Sequence, residues 1–208
     1  MPDSRDFIYL STRAGLPAAP LVLLHGSGQD EHELLDLADS VGADRPCLAM
    51  RGPVAWEAGY AFFRRRPDRS LDYEDLRIQT MRFADFLERA VATGLLSEPP
   101  ILLGFSNGAI LAASVLMHRP DAIAGAILLR PLTPATKAGF PDLRKQRILL
   151  IAGADDERRA PGDAPLLRQQ LEKAGARIAA MTIPAGHAVA QREPEMIRNW
   201  LAENFSAS

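Results

Sequence analysis

Ser106 stands in Gly104-Phe105-Ser106-Asn107-Gly108, a Gly-x-Ser-x-Gly pentapeptide. An apolar run, Ile101-Leu102-Leu103, precedes it, and a helix-forming run from Ala109 to Leu116 follows it. Strand, tight turn and helix in that order is the setting in which this pentapeptide presents a nucleophilic serine. The turn is cramped so that the hydroxyl projects from the sheet. Its glycines are needed because a β-carbon there would collide with the neighbouring strand and helix. A helix starting at Asn107 also brings N–H groups and a positive dipole end to a developing oxyanion. The competing role, a plain turn with a capping serine, lacks a reason for both flanks.

A serine hydroxyl is a weak nucleophile and needs a base, which in turn needs an acid to orient it. Behind such an elbow the chain order is Ser, then Asp or Glu, then His. The sequence has four histidines. His25 and His32 precede Ser106, and His118 lies late in the following helix, where a cation suits the dipole. His187 remains, in the loop Pro184-Ala185-Gly186-His187-Ala188. The acid is expected after the apolar run 148–151, where Asp155, Asp156 and Glu157 follow one another. Residue chemistry leaves Asp155 and Asp156 open as its identity.

The oxyanion needs two N–H groups. The backbone of Asn107 supplies one, and the backbone of Ser27 in His25-Gly26-Ser27-Gly28 is the expected second. His25 itself reads as a buried structural residue. Gly26-Ser27-Gly28 lacks the downstream Gly-Lys-Ser/Thr of a phosphate-binding loop, and no His/Cys/Asp spacing suggests a metal. Neither a cofactor nor a metal is expected.

These residues must be positioned by strands and helices in alternation. The runs 21–24, 47–50, 101–103, 124–129 and 148–151 are continuously apolar, as strands of a parallel sheet covered on both faces require, and 177–183 reads as a last strand. Between them, 75–91 sets Leu76, Phe83, Phe86, Leu87 and Ala90 on one side of a helix. Helices are also expected over 164–174, with Gly175 as C-cap, and over 194–205, with Pro194 in the first turn. The fold class is therefore α/β, a mostly parallel, doubly wound sheet in three layers, as one domain over 1–208. Chemistry belongs at the carboxyl ends of its strands. Residues 51–72 are the least regular stretch and read as a surface excursion.

Composition excludes several classes. Lys and Arg total 24 against 26 Asp and Glu, a net charge of −2, too small to collect nucleic acid or an anionic membrane. Arg64-Arg65-Arg66 with Arg69 is a local exception that reads as solvated loop. The single cysteine, Cys47, sits among apolar residues as an inert buried thiol. No secretory signal opens the sequence and no apolar run is long enough to cross a bilayer, so a cytoplasmic protein without membrane insertion is expected.

Taken together these motifs resemble the carboxylesterase/phospholipase family of the α/β-hydrolase superfamily, and within it the small bacterial serine esterases of the MhqD-like type. The resemblance covers nearly the whole chain. It rests on Leu23-Leu-His-Gly-Ser-Gly-Gln-Asp-Glu-His-Glu-Leu-Leu, on Arg51-Gly-Pro-Val with Phe62-Phe63-Arg64-Arg65, on the pentapeptide at Ser106, on Leu129-Arg-Pro-Leu and on Ala185-Gly-His. The family pattern Gly-x-x-Asp matches Gly153-Ala-Asp-Asp156 and so implies Asp156 as the acid. It also implies hydrolysis of carboxylic esters, with thioesters or lysophospholipids as further substrates, through an acyl-enzyme and without a cofactor. One departure stands out: Glu157-Arg-Arg-Ala-Pro161 places two arginines where the family is usually apolar.

Trp56, Tyr60, Phe62 and Phe63 offer an apolar wall for a substrate pocket, or else bury their own segment against the body. No lid insertion is evident, which favours short or medium acyl chains on a small-molecule ester. Two alternatives compete. A dienelactone-type hydrolase has this fold but uses Cys where this chain has Ser106. A ligand-binding protein without turnover would have no need of an intact Ser, His and Asp set. Monomer and homodimer are both compatible with the sequence.

Overall fold

The continuous apolar runs become strands of one sheet because helices cover both of its faces. The computed structural model describes residues 7–68, 70–135 and 137–205. In chain order the elements are β1 (Tyr9–Thr12), β2 (Leu21–Leu24), α1 (Leu35–Gly42), β3 (Cys47–Met50), β4 (Val54–Trp56), β5 (Gly59–Ala61), α2 (Tyr73–Ala92), β6 (Ile101–Phe105), α3 (Asn107–His118), β7 (Gly125–Leu129), β8 (Arg147–Gly153), α4 (Asp163–Lys173), β9 (Arg177–Ile183) and α5 (Glu193–Asn204). The seven-stranded sheet runs β1-β3-β2-β6-β7-β8-β9. All neighbours are parallel except β1, which pairs antiparallel with β3.

Side chains of each strand alternate between two cores. Val22, Leu24, Leu48, Met50, Leu102, Leu128 and Leu150 pack with Leu76 and Phe83 of α2, Ile110 of α3 and Leu167 of α4. Leu21, Leu23, Ala49, Leu103, Ile127 and Ile151 pack on the other face with Ala38 of α1 and Ile197 and Trp200 of α5. That is three layers. Each fully buried Leu or Ile contributes roughly 1.5–3 kcal/mol, so both faces of every central strand are spoken for.

Local signals set the helix ends. The Asp72 side chain accepts from the Asp75 amide at 3.1 Å and starts α2, with Glu74 and Asp75 against the positive dipole end. Gly175, at φ +86°, follows α4, and Pro194 lies in the first turn of α5.

Three features depart from the sequence reading. β1 was not expected, because a half-polar four-residue edge strand carries no apolar run. The short, partly polar α1 carries too weak a period to announce itself. Residues 51–72 are no loose excursion either. They hold the β4–β5 hairpin, and a β-carbon on Gly59 would lie 2.4 Å from the Gly28 carbonyl oxygen, so the hairpin docks tightly on the loop after β2.

The chain order places the site. From β2 the sheet grows outward to β3 and then, on the other side of β2, to β6, so strand order reverses between β2 and β6. The crevice at such a switch point is where ligands bind in open α/β sheets. Ser27 follows β2 and Ser106 follows β6.

Candidate active site

Ser106 occupies φ +51°, ψ −104°, a strained backbone held between β6 and α3. Its amide donates to the Leu129 carbonyl at 2.9 Å, which fixes the turn against β7. The glycines around it are sterically required. A β-carbon on Gly108 would lie 2.1 Å from the Leu24 carbonyl oxygen, and one on Gly104 would lie 2.6 Å from the Gly108 carbonyl oxygen.

The loops after β8 and β9 converge on this hydroxyl. His187, after β9, places Nε2 3.0 Å from Ser106 Oγ. Its Nδ1 lies 2.9 Å from each carboxylate oxygen of Asp156, after β8. With Nδ1 facing a carboxylate, the proton belongs on Nδ1 and Nε2 is left to accept from the serine. Asp156 is buried and also accepts from the Arg158 amide at 2.9 Å, whereas Asp155 and Glu157 are exposed. Of the two aspartates left open by residue chemistry, Asp156 is the one that reaches His187. Burial pushes His187 below its ordinary value. The Asp156 carboxylate opposes that, and the Arg159 and Arg158 cations add to it. The imidazole is thereby neutral, and able to take a proton, at neutral pH.

Ser27 lines the cavity that opens above Ser106. Among the described residues, neither the Ser27 nor the Asn107 amide donates to a protein acceptor. Gly28, at φ +84°, supplies the left-handed turn after Ser27, and the Gly26 amide is held by Glu33 Oε2 at 2.6 Å. Asn107 also braces the elbow, its Oδ1 accepting from the Phe62 amide at 2.8 Å. His25 is structural, as expected. It is buried against Phe62, with Nε2 accepting from the Gly52 amide at 2.9 Å.

The aromatic wall needs correction. Trp56 does line the cavity. Tyr60 lies instead beneath the Arg51 guanidinium, 4.8 Å from its ring centre. Phe62 and Phe63 have no solvent exposure and belong to the core under α2 and α3, because two adjacent aromatic rings bury more apolar area there than a cleft could offer. The arginine cluster is corrected in part. Arg64 and Arg66 are exposed, but Arg65 is half-buried on the cavity wall; Arg69 lies outside the described residues. Cys47 is buried, its thiol pushed up to about 11 by desolvation.

Two arginines were not anticipated as parts of the site. Arg130, at φ +53° after β7, has a fully buried side chain. It donates to the carbonyl of Gly186 at 2.9 Å and of Ala188 at 2.8 Å, the residues on either side of His187. It is paired with Glu193 of α5 at 2.5 Å, and Glu193 accepts in turn from the Ala190 amide at 2.8 Å. The family motif Leu129-Arg-Pro-Leu contains this arginine, but nothing in its spacing points to the His187 loop. Arg159 donates from Nη2 to Ser106 Oγ at 3.1 Å and from Nε to the Arg130 carbonyl at 2.9 Å. Only the excess of arginine after Asp156 marks it in the sequence.

Asp30, Glu31 and His32 place possible metal ligands within 4.8 Å of one another. Glu31 is already held in a two-pronged pair by Arg51, at 2.5 Å from both Nε and Nη2. That is an ion pair rather than an open ligand set.

Comparison with known proteins agrees with this architecture. The chain is 33% identical over 184 residues to the hydrolase-family protein MhqD of Bacillus subtilis (strain 168), a match spanning 88% of this chain and 92% of that one. The crystal structure of a Mesorhizobium loti carboxylesterase superposes with a TM-score of 0.88 at 34% identity, over 95% of each chain. A Bacillus cereus carboxylesterase superposes with a TM-score of 0.91 at 28% identity, over 97% of this chain and 96% of that one. No family model matches the chain. The fold is that of an α/β-hydrolase. The chain belongs to the carboxylesterase family within that class and is a hydrolase.

Proposed function

We propose that this protein is a serine esterase in which Ser106 is the nucleophile, His187 the general base and Asp156 the orienting acid. The observation that carries this reading is the hydrogen-bonded line from Ser106 Oγ through the His187 ring to Asp156. His187 Nε2 takes the hydroxyl proton as Oγ attacks the ester carbonyl carbon. The carbonyl oxygen becomes an oxyanion held by the Ser27 and Asn107 amides. The C–O bond to the alcohol then breaks, and His187 returns the proton to the departing oxygen. Water, activated by the same imidazole, hydrolyses the acyl-serine and restores the hydroxyl.

A cavity of about 400 Å³ above Ser106, bordered by Trp56 and three arginines, suits a short acyl group on an ester or thioester. The test is p-nitrophenyl acetate hydrolysis combined with fluorophosphonate labelling. Wild type should turn over and label, while Ser106→Ala should do neither. A folded wild type that neither labels nor hydrolyses would sink the reading.

A further inference from the structure

The serine that would attack is held from two sides. On one stands His187; on the other stands the Arg159 guanidinium, 3.1 Å from the same oxygen. Arg159 has five N–H donors. Nε serves the Arg130 carbonyl, one proton of Nη1 serves the Arg158 carbonyl at 3.0 Å, and one of Nη2 serves Ser106. One N–H on each terminal nitrogen is left over. Among the described residues, no carboxylate lies within ion-pair distance of this guanidinium. Its surroundings desolvate it enough to draw it down to about 10. Asp156 and Asp163 offset this desolvation only in part, and the side chain is half-buried rather than sealed. A partly desolvated cation with spare N–H donors is favourably met by a bound anion.

The neighbouring wall has the same sign. Arg65 and Arg158 line the same cavity as Ser106 and Arg159. Glu57 and Glu157 also border it, so the field is local to the arginine side rather than general. A guanidinium fork matches a carboxylate in plane and spacing.

We propose that the substrate is an ester bearing a carboxylate close to the scissile carbonyl, with Arg159 as its anchor and Arg158 and Arg65 as lesser attractors. This rests on the serine-esterase reading above. The reach is short because Arg159 touches the nucleophile itself. A carboxylate hydrogen-bonded to it sits about three bonds from the carbonyl that Ser106 attacks. Hemi-esters of short dicarboxylic acids have that layout, as do acyl esters of short hydroxy acids.

The experiment compares kcat/KM by alkali uptake for two matched pairs. Monomethyl succinate against dimethyl succinate puts the charge on the acyl side. O-acetylglycolate against its methyl ester puts it on the alcohol side. In one pair or both, wild type should favour the anion by about tenfold to hundredfold, the factor of a charge-assisted hydrogen bond. Which pair does so assigns the side of the charge. Arg159→Gln should bring that ratio close to one, and Arg159→Lys should retain part of it. Should Arg159→Gln fail to fold, wild type alone still answers, because succinate should inhibit dimethyl succinate hydrolysis at least tenfold better than succinamide does. Neutral esters turned over as well as or better than the anions in both pairs would overturn the proposal and leave the esterase standing. A ratio untouched in folded Arg159→Gln would overturn it too. No turnover of any ester, with no fluorophosphonate labelling, would bring down the esterase reading and this one together.

Discussion

Arg130 and Glu193 form an ion pair in which neither side chain has any solvent exposure, and Arg130 holds the backbone carbonyls on both sides of His187. The pair links the turn after β7 to the start of α5 through the loop that carries the imidazole. Removing one partner of a buried pair leaves the other charge uncompensated, at about 3–5 kcal/mol. Glu193→Gln should therefore lower Tm by roughly 6–20 °C, read by calorimetry, given about 2–4 °C per kcal/mol in a chain of this size. At a temperature where the variant is still folded, kcat should fall with it as the His187 loop loosens. A Tm within about 2 °C of wild type would show that the pair does not hold the loop.

The two adjacent aspartates offer the sharpest contrast for the orienting acid. Asp156→Asn leaves a side chain of the same shape that no longer stabilises an imidazolium. It should reduce kcat by about 10³–10⁴-fold. Asp155→Asn alters an exposed side chain and should stay within a few-fold. Steady-state hydrolysis of p-nitrophenyl acetate measures both, and equal losses would refute the assignment.

Much of this site was legible in the sequence, for reasons that differ by residue. The motif around Ser106 and the chain order among four histidines point to two residues that the fold brings within 3.0 Å of each other. The sheet was readable because strands covered on both faces must be apolar throughout. The edge strand β1 has solvent on one side and lacks that mark. Phe62 and Phe63 misled because an aromatic residue has the same type whether it faces a cleft or a core. Arg130 and Arg159 were hidden for a further reason. Their partners are backbone carbonyls and a hydroxyl brought from distant strands, and a sequence does not show which carbonyls will meet.

The pH dependence follows from the His187 environment. In the proposed mechanism His187 works only when neutral, so activity should be absent well below its pKa and complete above it. Burial places that pKa below the ordinary histidine value of about 6.5, so the acid limb of kcat/KM should have its midpoint below 6.5. Arg159 and Arg158 contribute to the lowering because a nearby cation disfavours the imidazolium. Removing a cation must therefore raise the midpoint. Arg159→Gln should move the acid limb to higher pH, and Arg158→Gln should move it the same way by less. A shift to lower pH in either variant would contradict this electrostatic account.

Gly108 tests the elbow itself. It lies in the first turn of α3, where intrinsic helix propensity favours alanine over glycine by about 1 kcal/mol. Propensity should lose. The added β-carbon would lie 2.1 Å from the carbonyl oxygen of Leu24 and 2.6 Å from its β-carbon, both in the central strand β2, which has no room to retreat. Moving α3 away instead would shift Ser106 from His187 and the Asn107 amide from Ser27. Gly108→Ala should therefore lose at least about 2 kcal/mol in urea unfolding and most of its esterase activity. Gly139→Ala, where nothing lies within 4 Å, should stay within about 0.5 kcal/mol. If Gly108→Ala were as stable and active as the Gly139 variant, the close approach of α3 to β2 would not be what sets the position of Ser106.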